Sequence, residues 1–116
     1  MTVSIWLSDP ATNTWLINIR DLTEGQTFQK SFAYASSKLS AEWIVELPTV
    51  NNHLSTLSDF GQMTFAGCAA TVSGKVGNIS SFSHIQVTMD NRQYREIAST
   101  SSLTSNGSSF TVSYLD

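Results

Sequence analysis

The most informative stretch of this chain is Ala41-Glu42-Trp43-Ile44-Val45-Glu46-Leu47. Most of its residues are apolar strand formers, and successive side chains of a strand point to opposite faces of the sheet. The spacing therefore predicts a strand over 41–47, with Trp43 and Val45 on a core face and Glu42 and Glu46 on the opposite face. Either both glutamates are solvated on the wet face of an antiparallel sheet, or one of these carboxylates does chemistry.

The composition limits the class of protein and its partners. A length of 116 residues predicts a single domain spanning 1–116. The net charge of −3, with six scattered bases, argues against a nucleic-acid partner, because phosphate binding needs clustered lysines and arginines. Charged residues make up 13% of the chain, a low share for a globular domain, and serine and threonine occupy 32 positions. Such hydroxyl-rich surfaces are common in secreted β-proteins.

The ligating and nucleophilic residues are too few to predict a metal site or a cofactor. The chain has one cysteine, Cys68, which we interpret as a small buried apolar side chain in a strand. A nucleophilic cysteine needs a histidine nearby, and neither His53 nor His84 has a sequence context that suggests such a pair. No segment approaches the roughly 20 apolar residues of a membrane span, so no membrane partner is predicted, and the N-terminus lacks the features of a signal peptide.

Short alternating segments separated by turn residues run along the whole chain. No segment has a convincing helical period, and many short strands at regular spacing predict an all-β sandwich or barrel. The turn residues 9–13 and 21–25 join the first three strands as two successive hairpins. Residues 48–60 lack alternation and are predicted to be a loop with one helical turn near 53–58. The predicted strands are 3–7, 14–20, 27–33, 41–47, 61–65, 68–72, 84–90, 94–98 and 110–115.

These segments together resemble the glutamic peptidases, or eqolisins, which are acid-acting secreted endopeptidases. The fairly specific part is Ser40-Ala-Glu-Trp-Ile-Val-Glu46 with Pro48, followed by Leu57-Ser-Asp-Phe-Gly61 and Met63-Thr-Phe65. The hairpin within 15–28 and the closing strands at 85–90 and 110–114 extend the resemblance over nearly the whole chain. It implies an antiparallel β-sandwich of the eqolisin, concanavalin-like kind, a polypeptide substrate, and a secreted, extracellular location.

The resemblance also implies a role for one glutamate. Glu46 matches the family's catalytic carboxylate, whereas Glu42 matches a glutamate without that role. The family pairs its catalytic glutamate with a glutamine from the N-terminal half of the fold, and no segment here resembles that half. None of the glutamines in this chain matches the catalytic position: Gln26, Gln29, Gln62, Gln86 and Gln93. Likewise, Trp6, Trp15 and Trp43 are interpreted as core or sheet-face residues rather than substrate-binding ones.

The chain therefore resembles the C-terminal half of an eqolisin, and three hypotheses about its function remain open. It is a glutamic endopeptidase chain that supplies Glu46 and is inactive alone, or a non-catalytic binding or assembly module, or a carbohydrate-binding sandwich. Half a sandwich leaves strand edges unpaired and apolar faces uncovered. We therefore expect the fold to be partial, or to be completed by a second copy or by a chain carrying the missing N-terminal half.

Overall fold

A computed structural model of the chain describes residues 1–115 and consists almost entirely of strands that pair antiparallel. Contacts divide these residues into two compact units, one formed by 1–40 and the other beginning at Ala41. The prediction of an all-β chain is confirmed, because a single 3-10 turn, Ile79–Ser81, is the helical element among the described residues.

The first unit is a three-stranded sheet in the order β1-β2-β3. Its strands are β1 (Thr2–Asp9), β2 (Thr14–Arg20) and β3 (Thr27–Ala33). β2 pairs with β1 and β3 along its full length, with one irregularity in the β1 register between Leu7 and Asp9. The predicted bounds of β2 and β3 are therefore confirmed, and β1 is longer than predicted.

One face of this sheet is almost wholly apolar. Cross-strand register places the side chains of each row on the same face, and the rows of this face are Val3–Ile19–Phe28, Ile5–Ile17–Lys30 and Leu7–Trp15–Phe32. Lys30 is the single polar member, and its ammonium lies over the Phe32 ring at 5.1 Å from the centroid. The opposite face is mixed, since Trp6 and Leu16 pair there among polar residues. Both faces of β2 thus carry apolar groups, as the alternation predicts.

The two hairpin turns of this unit are capped by aspartates. Asp9 accepts hydrogen bonds from the Ala11 amide at 2.9 Å and the Thr12 hydroxyl at 2.8 Å. Asp21 accepts from the backbone amides of Thr23 at 2.8 Å and Glu24. Hydrogen bonds to a carboxylate favour its charged form. The Thr12 hydroxyl therefore holds the pKa of Asp9 below its ordinary value, and the Thr23 amide does the same for the pKa of Asp21.

This capping predicts how the first unit responds to acid. A carboxyl whose pKa is lowered by folding contributes stability above its unfolded pKa, and that stability is lost as the pH falls through the folded pKa. Both hairpins should therefore keep their caps at the mildly acidic pH where ordinary aspartates begin to protonate. Carboxyl chemical shifts followed by NMR should show Asp9 and Asp21 titrating at lower pH in the folded chain than in the urea-unfolded chain. Equal titration midpoints in the two states would contradict this prediction.

The second unit contains one four-stranded sheet and two short hairpins. The order in the sheet is β6-β11-β10-β9, and the hairpins are β4-β5 and β7-β8. The strands are β4 (Thr49–Val50), β5 (His53–Leu54), β6 (Gln62–Phe65), β7 (Ala69–Val72), β8 (Lys75–Asn78), β9 (Met89–Asp90), β10 (Glu96–Thr100) and β11 (Phe110–Tyr114).

The core of the second unit is small and lies against the four-stranded sheet. Its buried residues are Cys68, Ala98, Phe110 and Val112. Phe110 and Val112 share one face of β11, because they are two residues apart. The opposite face carries hydroxyls, and the Thr111 and Thr64 side chains hydrogen-bond across the strands at 3.1 Å. Burial of Cys68 confirms its interpretation as a core residue, but Cys68 precedes β7 and is not in a strand as predicted.

The strand predicted over 41–47 is wrong as a hydrogen-bonded element, although its alternation is present. Trp43, Val45 and Leu47 are half-buried, while Glu42 and Glu46 are exposed. Within residues 1–115, however, the backbone of 43–47 makes no hydrogen bond to another backbone group. A segment is a strand only when a neighbouring strand pairs with it, and no described segment lies in register with this one.

Three further predictions in the second unit need correction. The loop predicted over 48–60 contains the β4-β5 hairpin instead of a helical turn, because Asn51 and Asn52 adopt the positive φ that a tight hairpin turn requires. The connection predicted after residue 74 contains β8, paired with β7. The long strand predicted over 84–90 is paired only at Met89–Asp90. Alternation sets which side chains are buried, but it does not supply a pairing partner.

A network of amides and hydroxyls joins the 3-10 turn to the turn before β11. The side-chain amide of Asn78 donates to the backbone carbonyl of Asn106 at 2.7 Å. The backbone amide of Ser80 donates to the backbone carbonyl of Gly107 at 3.1 Å. Gly107 is buried and has a φ of +69°, and a Cβ on it would overlap the Ser80 side chain. Glycine is therefore required here both for its backbone conformation and for the close approach of Ser80.

We expect Gly107→Ala to lower the free energy of unfolding by about 3 kcal/mol, because a strained φ and an overlap both add to the cost. Gly74→Ala is the matched control, since Gly74 has a φ of +78° and open space around the position of a Cβ. This control should cost only about 1 kcal/mol. Urea denaturation of both variants measures the difference, and equal losses would show that the Ser80 contact is unimportant.

Candidate active site

The segment 43–47 presents its alternate side chains to the core and to solvent. Trp43 and Val45 pack against the buried cluster of the second unit. Glu46 is exposed, and Ile44, two residues before it, is 43% exposed. Burial thus alternates along the segment, with the half-buried Trp43 and Val45 between exposed neighbours.

A groove of about 470 Å³ runs along this segment within the second unit. Its floor includes the core residues Ala98 and Val112, and one wall is the segment 43–47 itself. The other lining residues come from β5, from the segment leading into β9, and from β10: Leu54, Val87, Thr88, Met89, Asp90, Ser99 and Thr100. The groove is thus mostly apolar and has few polar side chains.

The polar side chains of the groove are two carboxylates and three hydroxyls. Glu46 and Asp90 are the acids, and the hydroxyls belong to Thr88, Ser99 and Thr100. A carboxylate can accept a proton from water and return it, and hydroxyls can donate hydrogen bonds. The groove lining contains neither an amide side chain nor a basic residue, so its donors are hydroxyls, backbone amides and the indole N–H of Trp43.

The glutamines of the second unit do not line this groove. The Gln86 amide donates to the carbonyl of Ser101 at 2.6 Å, and the Gln62 amide donates to the Ser113 hydroxyl at 3.3 Å. Gln93 lies in the turn between β9 and β10. Of these three, none is brought beside Glu46 in the described part of the chain.

A second stretch of backbone near the groove is also unpaired. Residues 83–88 alternate in sequence, and Val87 and Thr88 line the groove. Among the described residues, the backbone of 83–88, like that of 43–47, makes no hydrogen bond to other backbone groups. Ile85, which is 86% exposed, lies in this stretch. Two segments that contribute residues to the groove thus have backbone donors and acceptors that pair with no other described backbone group, and such groups can pair with an added strand.

The remaining candidate residues of the sequence lie elsewhere. Cys68 is buried, burial raises the pKa of its thiol, and it does not line the groove. His84 contacts the carbonyl of Phe82 through Nδ1, and His53 lies on β5. Residues 1–115 contain no cluster of three or more histidine, cysteine or acidic side chains able to hold a metal ion. Nor does this part of the chain contain a helix long and apolar enough to cross a membrane.

Sequence reasoning missed Asp90 as a groove residue. Asp90 was visible only as the end of an alternating segment and the start of a turn. Asp90 is opposite Glu96 in the local β9-β10 hairpin, and this hairpin lines the groove together with the segment 43–47. That second contact joins distant parts of the chain and has no local signal in the sequence.

Comparison with known proteins identifies a matching family and a solved structure of similar fold. The model of the peptidase A4 family matches residues 1–114. Among solved structures, the crystal structure of aspergilloglutamic peptidase from Aspergillus niger is similar, with a TM-score of 0.74 and 24% sequence identity. The alignment covers 98% of this chain and 66% of that one. No curated protein sequence matches this chain.

The structural likeness confirms the predicted antiparallel β-sandwich of the eqolisin type. The chain spans slightly less than two thirds of the length of the solved peptidase it matches. About a third of that peptidase therefore has no counterpart among the residues compared.

Proposed function

This chain belongs to the peptidase A4 family, and we propose that it supplies the catalytic glutamate, Glu46, of a glutamic-type acid endopeptidase. The observation that supports this role is the placement of Glu46. Glu46 is exposed and is among the residues that line a groove of about 470 Å³, together with Val87 and Thr88 of a second segment whose backbone is unpaired. Glu42 lies on the same side of the segment but does not line the groove.

The proposed chemistry uses Glu46 as a general base and then as a general acid. The carboxylate takes a proton from water, the water oxygen bonds to the scissile carbonyl carbon, and the proton passes to the leaving amine as the peptide bond breaks. An amide donor has to stabilise the oxyanion that develops on the carbonyl oxygen. None of Gln62, Gln86 and Gln93 lines the groove, and Gln26 and Gln29 do not match the catalytic position in the family resemblance, so in this proposal additional polypeptide provides the donor.

We further propose that residues 1–116 alone are inactive and that the active form is secreted. The additional polypeptide is either a second copy or a segment carrying the remaining third of the fold. The low charge content of 13% and the abundance of serine and threonine support work outside the cell, at a pH where carboxylates begin to lose their charge. The substrate class proposed is an unfolded polypeptide, since an extended groove accepts an extended chain.

The test is a comparison of two preparations with an unfolded protein substrate at acidic pH. One contains residues 1–116 alone, and the other contains them together with the glutamine-bearing N-terminal segment of a complete family member. Cleavage should appear only in the second preparation. Cleavage by residues 1–116 alone would refute the need for an external glutamine, and absence of cleavage by a folded complex would refute the peptidase assignment.

The second candidate function is a binding or assembly module in which Glu46 has no catalytic role. The unpaired backbone of 43–47 and 83–88 favours it, because such segments join other strands without any chemistry. This hypothesis predicts a stable complex with the same partner and no cleavage. In addition, Glu46→Ala should leave the affinity of the complex unchanged, which isothermal titration calorimetry can measure.

A further inference from the structure

Strand β1 is an open edge of the three-stranded sheet. It pairs with β2 on one side, and in the described residues no strand pairs with its other side. It is eight residues long, and its register with β2 is regular from Thr2 to Leu7. Edge strands of this length are usually protected from pairing with other chains by a charge, a proline or a bulge.

The two edges of this sheet differ in their protection. Residues 2–8 contain no charged residue, no proline and no glycine. The opposite edge, β3, carries Lys30 at its centre, with the ammonium held over Phe32. On β1, by contrast, the side chains of Val3 and Ile5 are 56% and 59% exposed. Over Thr2–Leu7 the uncharged and apolar edge is therefore β1, whose irregularity and single charge lie at its end, between Leu7 and Asp9.

The sequence of β1 is complementary to itself in one antiparallel register. When Ile5 is opposite its own copy, Val3 is opposite Leu7, so apolar residues meet apolar ones on the face that carries Ile5, while Ser4 is opposite Trp6 on the other face. Opposed residues lie on the same face of a sheet, and this register continues the apolar face of the first unit across the junction. In a twofold contact a side chain near the axis lies close to the same side chain of the second copy. A charged residue there would be repelled by its equivalent. The neutral stretch 2–8 avoids that repulsion.

We infer that a second copy of this chain docks on β1, strand against antiparallel strand, with Ile5 on the twofold axis. The result is a six-stranded sheet in the order β3-β2-β1-β1-β2-β3. One strand pair buries less area than a typical stable interface, so the dimer is weak and its population depends on concentration. A second copy is also one of the partners in the proposed function, but docking on β1 does not involve Glu46. The dimer and the catalytic role of Glu46 can therefore fail independently.

The experiment uses opposite charges at the twofold axis. Ile5→Lys and Ile5→Glu each place like charges opposite each other in the dimer, and sedimentation velocity over a dilution series measures association. Each variant alone should raise the dissociation constant at least about tenfold. An equimolar mixture of the two variants should associate as a heterodimer, because lysine then faces glutamate. This rescue also shows that both variants are folded.

Phe28→Lys is the matched control, because Phe28 lies on the same apolar face at the far edge and is 52% exposed. It should leave the dissociation constant of the dimer unchanged. A wild-type chain that stays monomeric at every concentration would overturn the inference. So would a mixture of the two Ile5 variants that fails to associate, or a loss of association in Phe28→Lys as large as in Ile5→Lys.

Discussion

Glu46→Gln is expected to lower the rate of peptide-bond hydrolysis by the completed assembly at least about a hundredfold, the usual contribution of a general base. The glutamine side chain has nearly the same shape, but it cannot take a proton from the attacking water. Because Glu46 is exposed and lies outside any hydrogen-bonded strand, the substitution should leave the folded structure intact. The decrease should appear in kcat more than in KM, since the carboxylate acts in the transition state.

The matched control for this prediction is Glu42→Gln. Both glutamates lie on the exposed side of the same extended segment, yet Glu46 lines the groove and Glu42 does not. Hydrolysis of an unfolded protein at acidic pH, with circular dichroism to verify folding, separates the two variants. Full activity in Glu46→Gln would show that Glu46 is not catalytic. An equal decrease in activity in Glu46→Gln and Glu42→Gln would show that the effect comes from the negative charge of the segment and not from Glu46 itself.

Phe110→Ala is expected to lower the free energy of unfolding of the second unit by about 3–5 kcal/mol, as for other buried aromatic residues. Phe110 is 8% exposed, and its ring stacks on Phe65 with centroids 5.1 Å apart. The buried cluster has only four members among the described residues. Since small domains are stable by only about 5–15 kcal/mol, this single substitution removes a large share of the total.

Chemical denaturation in urea provides the measurement for Phe110→Ala. Ile85→Ala is the control, because it removes an apolar side chain that is 86% exposed and should change stability by less than about 0.5 kcal/mol. If unfolding of the two variants began at the same urea concentration, Phe110 would not be part of a cooperative core. A ligand or partner that stabilises the unit should raise the midpoint of both variants.

The first unit shows which structural features a local sequence pattern can predict. The bounds of β2 and β3 follow from alternation and from turn residues, since Gly25 has the positive φ that the turn between them requires. Each of these strands finds its partner in the next segment of the chain. Hairpin pairing is local, so the sequence around the turn contains most of the information that sets the register.

The second unit shows that a local sequence pattern does not predict which strands pair. The segments 41–47 and 84–90 alternate as clearly as β2, yet only Met89–Asp90 is paired. Their pairing depends on strands far away in sequence, which alternation cannot name. Conversely, the β4-β5 hairpin was not predicted, because its strands are two residues long and too short to show a period.

The sequence by itself determined the all-β class, the alternation that exposes Glu46, and the resemblance to glutamic peptidases. These properties reside in the order of neighbouring residues, where side-chain direction alternates with every peptide. The tertiary structure was needed to show that Glu46 and Asp90 line one groove, that no glutamine of the second unit lines it, and that 43–47 has no paired neighbour among residues 1–115. The reason is that these are contacts between distant segments, and such contacts are set by packing around the Phe110–Val112 core.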